Sequence, residues 1–233
     1  VKDGPGYASP AARGWAIDSR AAVAVHFNGK SADPEYASWL LKQLHFGEQL
    51  ILLVCMPTEQ AICDATLATH LKHGLDTELL PAHVGRSPRL HTTLKPGEEG
   101  VFASWVAAFD VAISRGRAVV IDESDTVATH AVLPQDAPYD VVQLHSHSRM
   151  PRERVCLKMY REDWHRHTYA CGANLWTVSA AKRARALITK QALHLPVDLW
   201  LDKVCSAGIF RCAKQCHTAF HQQDLPSRTE LVP

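Results

Sequence analysis

The chain has 233 residues, with Lys+Arg 25 against Asp+Glu 24 and a formal net charge of +1. That length suits one large domain, or one domain with a short appendage, with enough material for a sizeable core. Near-neutral charge excludes a strongly basic surface for nucleic acid or anionic membranes, and 46% hydrophobic with 21% charged residues excludes wholesale disorder.

The longest apolar run, Leu50 to Met56, is far too short to span a bilayer. The N-terminus has no charged-then-apolar signal pattern, so a cytoplasmic location is expected. The chain begins at Val1 rather than Met, which reads as a processed chain or part of a longer one. The 7 cysteines are an odd number in a long chain and do not read as a small-domain disulfide framework. The 14 histidines invite a metal hypothesis whose value depends on where they fall.

Residues 1–20 are rich in Gly, Pro, Ala and Ser and read as irregular. Ala21 to Phe27 is a short apolar run ending in Asn28-Gly29, a strand leading into a turn. Asp33-Pro34-Glu35 reads as a helix start, followed by Tyr36, Trp39, Leu40, Gln43 and Leu44 at helical spacing and closed by Gly47. Leu50 to Met56 is a continuous apolar strand of the kind buried on both faces. Thr58 to His73 reads as a helix with Ala61, Ala65, Ala68 and Leu71 on its inner face and Gly74 at its end. Leu75 to Leu80 fits a second strand.

The segment Gly97 to Arg115 carries Val101, Trp105, Ala108, Phe109 and Ala112 at helical spacing and ends at Gly116. Arg117 to Ile121 then forms a strand running into Asp122-Glu123-Ser124-Asp125, and Tyr139 to Leu144 forms another. Ser179 is expected to cap a basic helix through about His194, with a further helix starting at Pro196-Val197-Asp198. Strands alternating with helices predict an α/β sandwich with a mostly parallel central sheet.

The sharpest chemical feature is the acidic cluster after the Arg117–Ile121 strand. Ligands of open α/β sheets bind outside the carboxyl ends of strands. Carboxylates crowded there repel one another, and a hard divalent cation such as Mg²⁺ or Mn²⁺ relieves the repulsion while holding substrate phosphates. The competing reading is a solvated acidic turn.

In their order and spacing these residues resemble glycosyltransferase family 25. Leu94-Lys95-Pro96-Gly97-Glu98-Glu99-Gly100, then Ser104-Trp105, an apolar helix and the strand into Asp122-Glu123-Ser124-Asp125 are similar to that family's Gly-Glu-x-Gly turn, Ser-His pair, helix and strand ending in Glu-Asp-Asp. Ala82-His83-Val84-Gly85, Gly172 to Ser179 with Lys182 and Ala184 to Ile188, Leu195-Pro196-Val197-Asp198, and Gln223-Asp224 with Ser227 extend the likeness over residues 50–230. The resemblance implies a GT-A-like (Rossmann-like) α/β/α sandwich in residues 50–233, with residues 1–49 an appendage or the tail of a preceding domain. It implies transfer of a hexose, galactose or glucose, from a UDP-sugar to a hydroxyl acceptor on a glycan or protein, with Mn²⁺ or Mg²⁺ as cofactor.

On this reading Asp122, Glu123 and Asp125 are the metal carboxylates, with Glu123-x-Asp125 serving as an Asp-x-Asp-type pair. Glu98 and Ser104 are donor contacts. Val25-His26-Phe27-Asn28-Gly29 resembles the tail of the lysyl hydroxylase glycosyltransferase domain, which makes His26 a further metal candidate.

Each candidate has a plainer alternative. His145 and His147 lie on one side of an extended segment and suit a metal or substrate contact, or a strand edge. Glu98 also suits a helix dipole. Asp198 is either a helix-start acid or the general base that takes the acceptor hydroxyl proton. Cys205, Cys212, Cys216 and His217 read as buried free thiols and a bystander rather than a zinc site; a Cys212–Cys216 disulfide requires an oxidising compartment. Lys182-Arg183-Ala184-Arg185 is a solvated helix face or a diphosphate contact. Trp105 in place of the family's His, and the shifted acidic triplet, motivate a second function: an inactive transferase fold used for carbohydrate binding or scaffolding. A His/Cys metal-binding protein is the third.

Overall fold

The computed structural model describes residues 49–128, 139–146, 160–161, 172–215 and 220–222. His26, the strand Ala21–Phe27 and the helix from Asp33 lie outside the described residues, as do His147, Cys216, His217 and the Gln223–Ser227 segment.

In chain order the elements are β1 (Leu50–Cys55), a 3-10 turn (Pro57–Glu59), α1 (Gln60–Lys72), β2 (Thr77–Pro81), β3 (His91–Thr92), α2 (Pro96–Arg115), β4 (Val119–Glu123) and β5 (Thr126–Ala128). Then come β6 (Val141–Gln143), β7 (His145–Ser146), β8 (Tyr160–Arg161), β9 (Ala173–Trp176), α3 (Val178–Lys190), β10 (Ala192–Leu193), α4 (Val197–Ser206), β11 (Cys212–Gln215) and β12 (Phe220–Gln222). The seven-stranded central sheet has the order β2-β1-β4-β9-β6-β11-β8. Five strands run one way; β9 is antiparallel to both its neighbours and β8 is antiparallel to β11. This is the mixed α/β architecture expected, with a mostly parallel sheet. β5, β12 and β7 form a small second sheet beside the carboxyl edge, and β10 pairs with β3.

The apolar run of β1 is central because Leu50, Ile51, Leu52 and Leu53 are each buried, as a strand covered on both faces requires. Alternation sends them to two layers. Leu50 and Leu52 join Val119, Ile121, Val141 and Trp176 against α2, α3 and α4. Leu53 and Cys55 face Cys63 and Leu67 of α1 on the other side. The larger layer centres on aromatic edges: Trp176 lies 4.9 Å from Phe109, 5.6 Å from Trp105 and 5.6 Å from Phe210, all T-shaped. Each such pair adds roughly 0.5–1.5 kcal/mol beyond its buried area. Trp105 is therefore a core residue.

Several boundaries move. β4 runs to Glu123 instead of ending at Ile121, so two of the acids lie inside the strand. α3 starts at Val178 and ends at Lys190, and its cap is Thr177, whose Oγ1 accepts from the Ala180 amide at 3.2 Å, instead of Ser179. The helix expected from Gly97 starts one residue earlier, at Pro96.

The inner face of α1 is also corrected. Ala61, Ala65, Ala68 and Leu71 are exposed, and Cys63, Thr66 and His70 are buried. Hydropathy selects the wrong side because Thr66 finds the Ser124 carbonyl there, and His70 lies against Thr77 and Asp122.

The cysteines are corrected as well. Cys55 pairs with Cys63 and Cys205 with Cys212, each as a disulfide, so these four are not free thiols and Cys205 and Cys212 are not zinc ligands. Disulfides persist in oxidising compartments, which runs against the cytoplasmic expectation. Among the described residues no helix is long and apolar enough to cross a membrane.

Candidate active site

On the α2–α4 side of the sheet, cross-strand rows become polar towards the carboxyl edge. Val119, Trp176 and Val141 form an apolar row, followed by Ile121, Asn174 and Gln143. In the next row Glu123 stands opposite Gly172, and the Glu123 amide donates to the Gly172 carbonyl at 2.7 Å. His145 packs beside Gly172: a Cβ added there would lie 3.4 Å from the imidazole ring and 2.5 Å from Thr126 Cγ2. Glycine is therefore the residue that lets β9, Thr126 and His145 meet.

Three carboxylates converge electrostatically at this edge. Glu123 ends β4, Asp125 lies two residues on in the turn to β5, and Asp198 lies in the first turn of α4. Burial, then the charge of Asp125, then that of Asp198 push the Glu123 carboxyl up to about 8. The charges of Asp125 and of Asp198, the latter from a distant part of the sequence, are thus both felt at Glu123. Asp198 Oδ1 also accepts from the Leu199 amide at 2.8 Å, which orients the carboxylate at its helix start.

Asp122 is placed elsewhere. Successive strand residues point to opposite faces, so Asp122 leaves its two acidic neighbours and faces α1. It is fully buried. Its Oδ1 accepts from the Thr126 hydroxyl, and its Oδ2 lies 3.5 Å from His70 Nε2. Desolvation, helped by the charges of Glu123 and Asp125, holds the Asp122 carboxyl well above its ordinary value against the Thr126 hydrogen bond, and desolvation with the nearby His73 holds His70 down to about 4. Two neutral groups are the cheaper state for a pair sealed from water. Asp122 thus faces the opposite side of the sheet from Glu123, although the charges of Glu123 and Asp125 are still felt there.

The donor-contact candidates carry structural work. Glu98 Oε2 accepts from the Lys95 amide at 3.1 Å, closing the start of α2. Ser104 Oγ accepts from the His83 amide at 2.9 Å and donates to the Gly100 carbonyl at 2.9 Å. Glu99, which was not singled out, is buried and accepts from the Ser87 amide at 2.5 Å and from Arg86 at 2.7 Å. Together Ser104 and Glu99 moor the 83–87 loop, which follows β2 at the carboxyl side of the sheet, to α2. His145 is 3% exposed, and its Nδ1 accepts from the Ala173 amide at 3.3 Å. The remaining unanticipated members are Glu59 and Thr66, which reach the acidic turn from α1. Glu59 Oε2 accepts from Ser124 Oγ at 2.7 Å, and Thr66 Oγ1 donates to the Ser124 carbonyl at 3.0 Å.

Among the described residues no three His, Cys, Asp or Glu side chains form a ready-made metal set. The donor chemistry of Glu123 and Asp125 nevertheless suits a hard divalent cation. Both offer oxygen, and Mg²⁺-type sites commonly use one or two carboxylates and draw their other ligands from water and substrate phosphate.

No family model matches the chain, so the expectation of family 25 finds no support there. No curated protein matches it. Among solved structures it is similar to a glycosyltransferase involved in the glycosylation of the major capsid of PBCV-1, at 11% identity and a TM-score of 0.40, over 78% of this chain and 95% of that one. So low a likeness leaves the functional reading to rest on the residues.

Proposed function

We propose that the chain is a GT-A-like glycosyltransferase that moves a hexose from a UDP-sugar to a hydroxyl on a glycan or protein acceptor. The observation that carries this reading is the placement of Glu123 at the carboxyl end of β4, with Asp125 in the turn that follows, in a mostly parallel sheet; the charge of Asp198 is also felt at Glu123. Ligands of such sheets bind at that edge. Glu123 and Asp125 would hold Mn²⁺ or Mg²⁺ against the donor diphosphate. When bound, the ion neutralises charge developing on the diphosphate as it leaves. Asp198 takes the proton of the acceptor hydroxyl. The two disulfides suit an oxidising compartment, and residues 1–49 are a separate appendage on this reading.

UDP titration by calorimetry, with and without Mn²⁺, tests it. Binding that needs the metal in wild type and is lost in Asp125→Ala is expected. No metal-dependent UDP binding, or unchanged binding in Asp125→Ala, overturns it. One observation favours the second reading of an inactive carbohydrate-binding or scaffold module: Glu98, Ser104 and Asp122 are all engaged within the protein. Sustained UDP-sugar turnover by the chain excludes that module.

A further inference from the structure

The acidic turn contains one residue that is not acidic. Ser124 separates Glu123 from Asp125, is 8% exposed, and faces α1. It is held at two points, from the 3-10 turn and from the α1 helix that follows it. Its hydroxyl donates to Glu59 Oε2 and its carbonyl accepts from Thr66 Oγ1, across 65 and 58 residues of sequence.

Both partners are unusual for their positions. Glu59 is the residue before α1, yet its side chain makes no cap bond to that helix. Instead a carboxylate only 7% exposed reaches the turn after β4. Thr66 is 2% exposed in mid-helix, where its hydroxyl would commonly turn back on its own helix, and it too is directed to Ser124. The Cys55–Cys63 disulfide brackets Glu59 and ties the end of β1 to the first turn of α1. Glu123 and Asp125 flank the held residue, so the hold on Ser124 fixes the backbone from which both carboxyl groups project.

We propose that Glu59 and Thr66 are positioning residues that clasp Ser124 and so set the spacing of Glu123 and Asp125. The inference rests on the function proposed above only in what the two acids are held for. The clasp itself is a property of the ligand-free chain. Partners one step behind metal ligands typically change metal affinity about 10–100-fold when removed.

Hydrogen exchange on the full ligand-free chain, and UDP titration with and without Mn²⁺, are run on wild type, Thr66→Val, Ser124→Ala, Glu59→Ala and Glu59→Gln. Exchange over residues 123–126 is expected to rise about tenfold in Thr66→Val and Ser124→Ala, with the interior of α2 as protected as in wild type. The Mn²⁺-dependent part of UDP affinity falls about tenfold, and the metal-free part is unchanged. Glu59→Ala behaves likewise, and Glu59→Gln, whose amide oxygen still accepts from Ser124, restores both. Unaltered local exchange in both Thr66→Val and Ser124→Ala overturns the clasp. Faster exchange with unchanged metal-dependent affinity overturns its role in setting the acids. If wild type shows no metal-dependent UDP binding, the proposed function falls instead, and the exchange arm alone decides whether the clasp holds the turn.

Discussion

Gly100 lies in the second turn of α2, where the 83–87 loop crosses the helix. A Cβ built on it would lie 2.5 Å from the His83 carbonyl oxygen and 3.4 Å from the Gly85 amide nitrogen. In an ordinary helix interior, Gly→Ala stabilises by about 0.5–1 kcal/mol, because alanine loses less backbone freedom on folding. Here the first contact is with backbone, which has no rotamer to yield. The loop must retreat by roughly 0.5–0.7 Å to reach a tolerable separation, an overpacking that costs about 1–3 kcal/mol. The same retreat lengthens the 2.9 Å bond from the His83 amide to Ser104, a bond worth about 0.5–1.5 kcal/mol.

Subtracting the propensity gain leaves Gly100→Ala destabilising by about 1–2 kcal/mol. Urea unfolding of wild type, Gly100→Ala, Ser104→Ala and the double variant reads the effect. Because Gly100→Ala already weakens the His83 bond, the double variant should lose less than the sum of the singles, by about 0.5–1 kcal/mol. A stabilised Gly100→Ala, or strict additivity, refutes the close approach of helix and loop.

Two further outcomes follow from the buried acids and histidine. Neutral His70 resists a proton down to about pH 4, while the unfolded chain takes one up near 6.5. His70 therefore contributes stability that is complete above pH 6.5 and is lost as pH falls towards 4. By linkage the loss is about 3 kcal/mol. Unfolding free energies measured from pH 7 to 4 should fall less steeply in His70→Gln; parallel slopes refute the burial-driven shift.

Glu123 works in the opposite sense. Its folded form keeps a proton up to about pH 8, whereas the unfolded form releases one near 4.5. Stability is therefore lost as pH rises between those values. Glu123→Gln should flatten that decline, on the order of 2 kcal/mol at pH 9 after discounting for partial exposure, while abolishing metal-dependent UDP binding. Equal pH profiles in wild type and variant refute the crowding of acids at this edge.

The framework was legible where hydropathy and local signals agree. The unbroken apolar run of β1 admits only burial on both faces, and α2 shows its inner face as Trp105, Ala108, Phe109 and Ala112 at helical spacing. It was illegible where tertiary partners decide. α1 has exposed alanines and a buried Cys63–Thr66–His70 stripe because the sheet offers it a disulfide partner, the Ser124 carbonyl and Asp122. No scale that scores residues singly ranks that stripe as the inner face. β9, antiparallel between β4 and β6, has only four residues, too few for periodicity to distinguish.

The candidate site shows how a boundary becomes chemistry. If β4 ends at Ile121, Asp122, Glu123 and Asp125 share a loop and can be imagined on one ion. With the strand running to Glu123, alternation sends Asp122 through the sheet to His70 and leaves Glu123 with Asp125 and Asp198. A two-residue shift in a strand end thus decides which face of the sheet Asp122 occupies.

The same geometry narrows the question of competence. Trp105, which stands where family 25 carries a histidine, is 1% exposed and packed edge-on against Trp176 and Phe109. A residue in that position fills the core, so its identity bears on packing rather than on catalysis. The proposed metal site therefore stands or falls with Glu123 and Asp125, and the proposed clasp of Ser124 by Glu59 and Thr66 is tested separately from it.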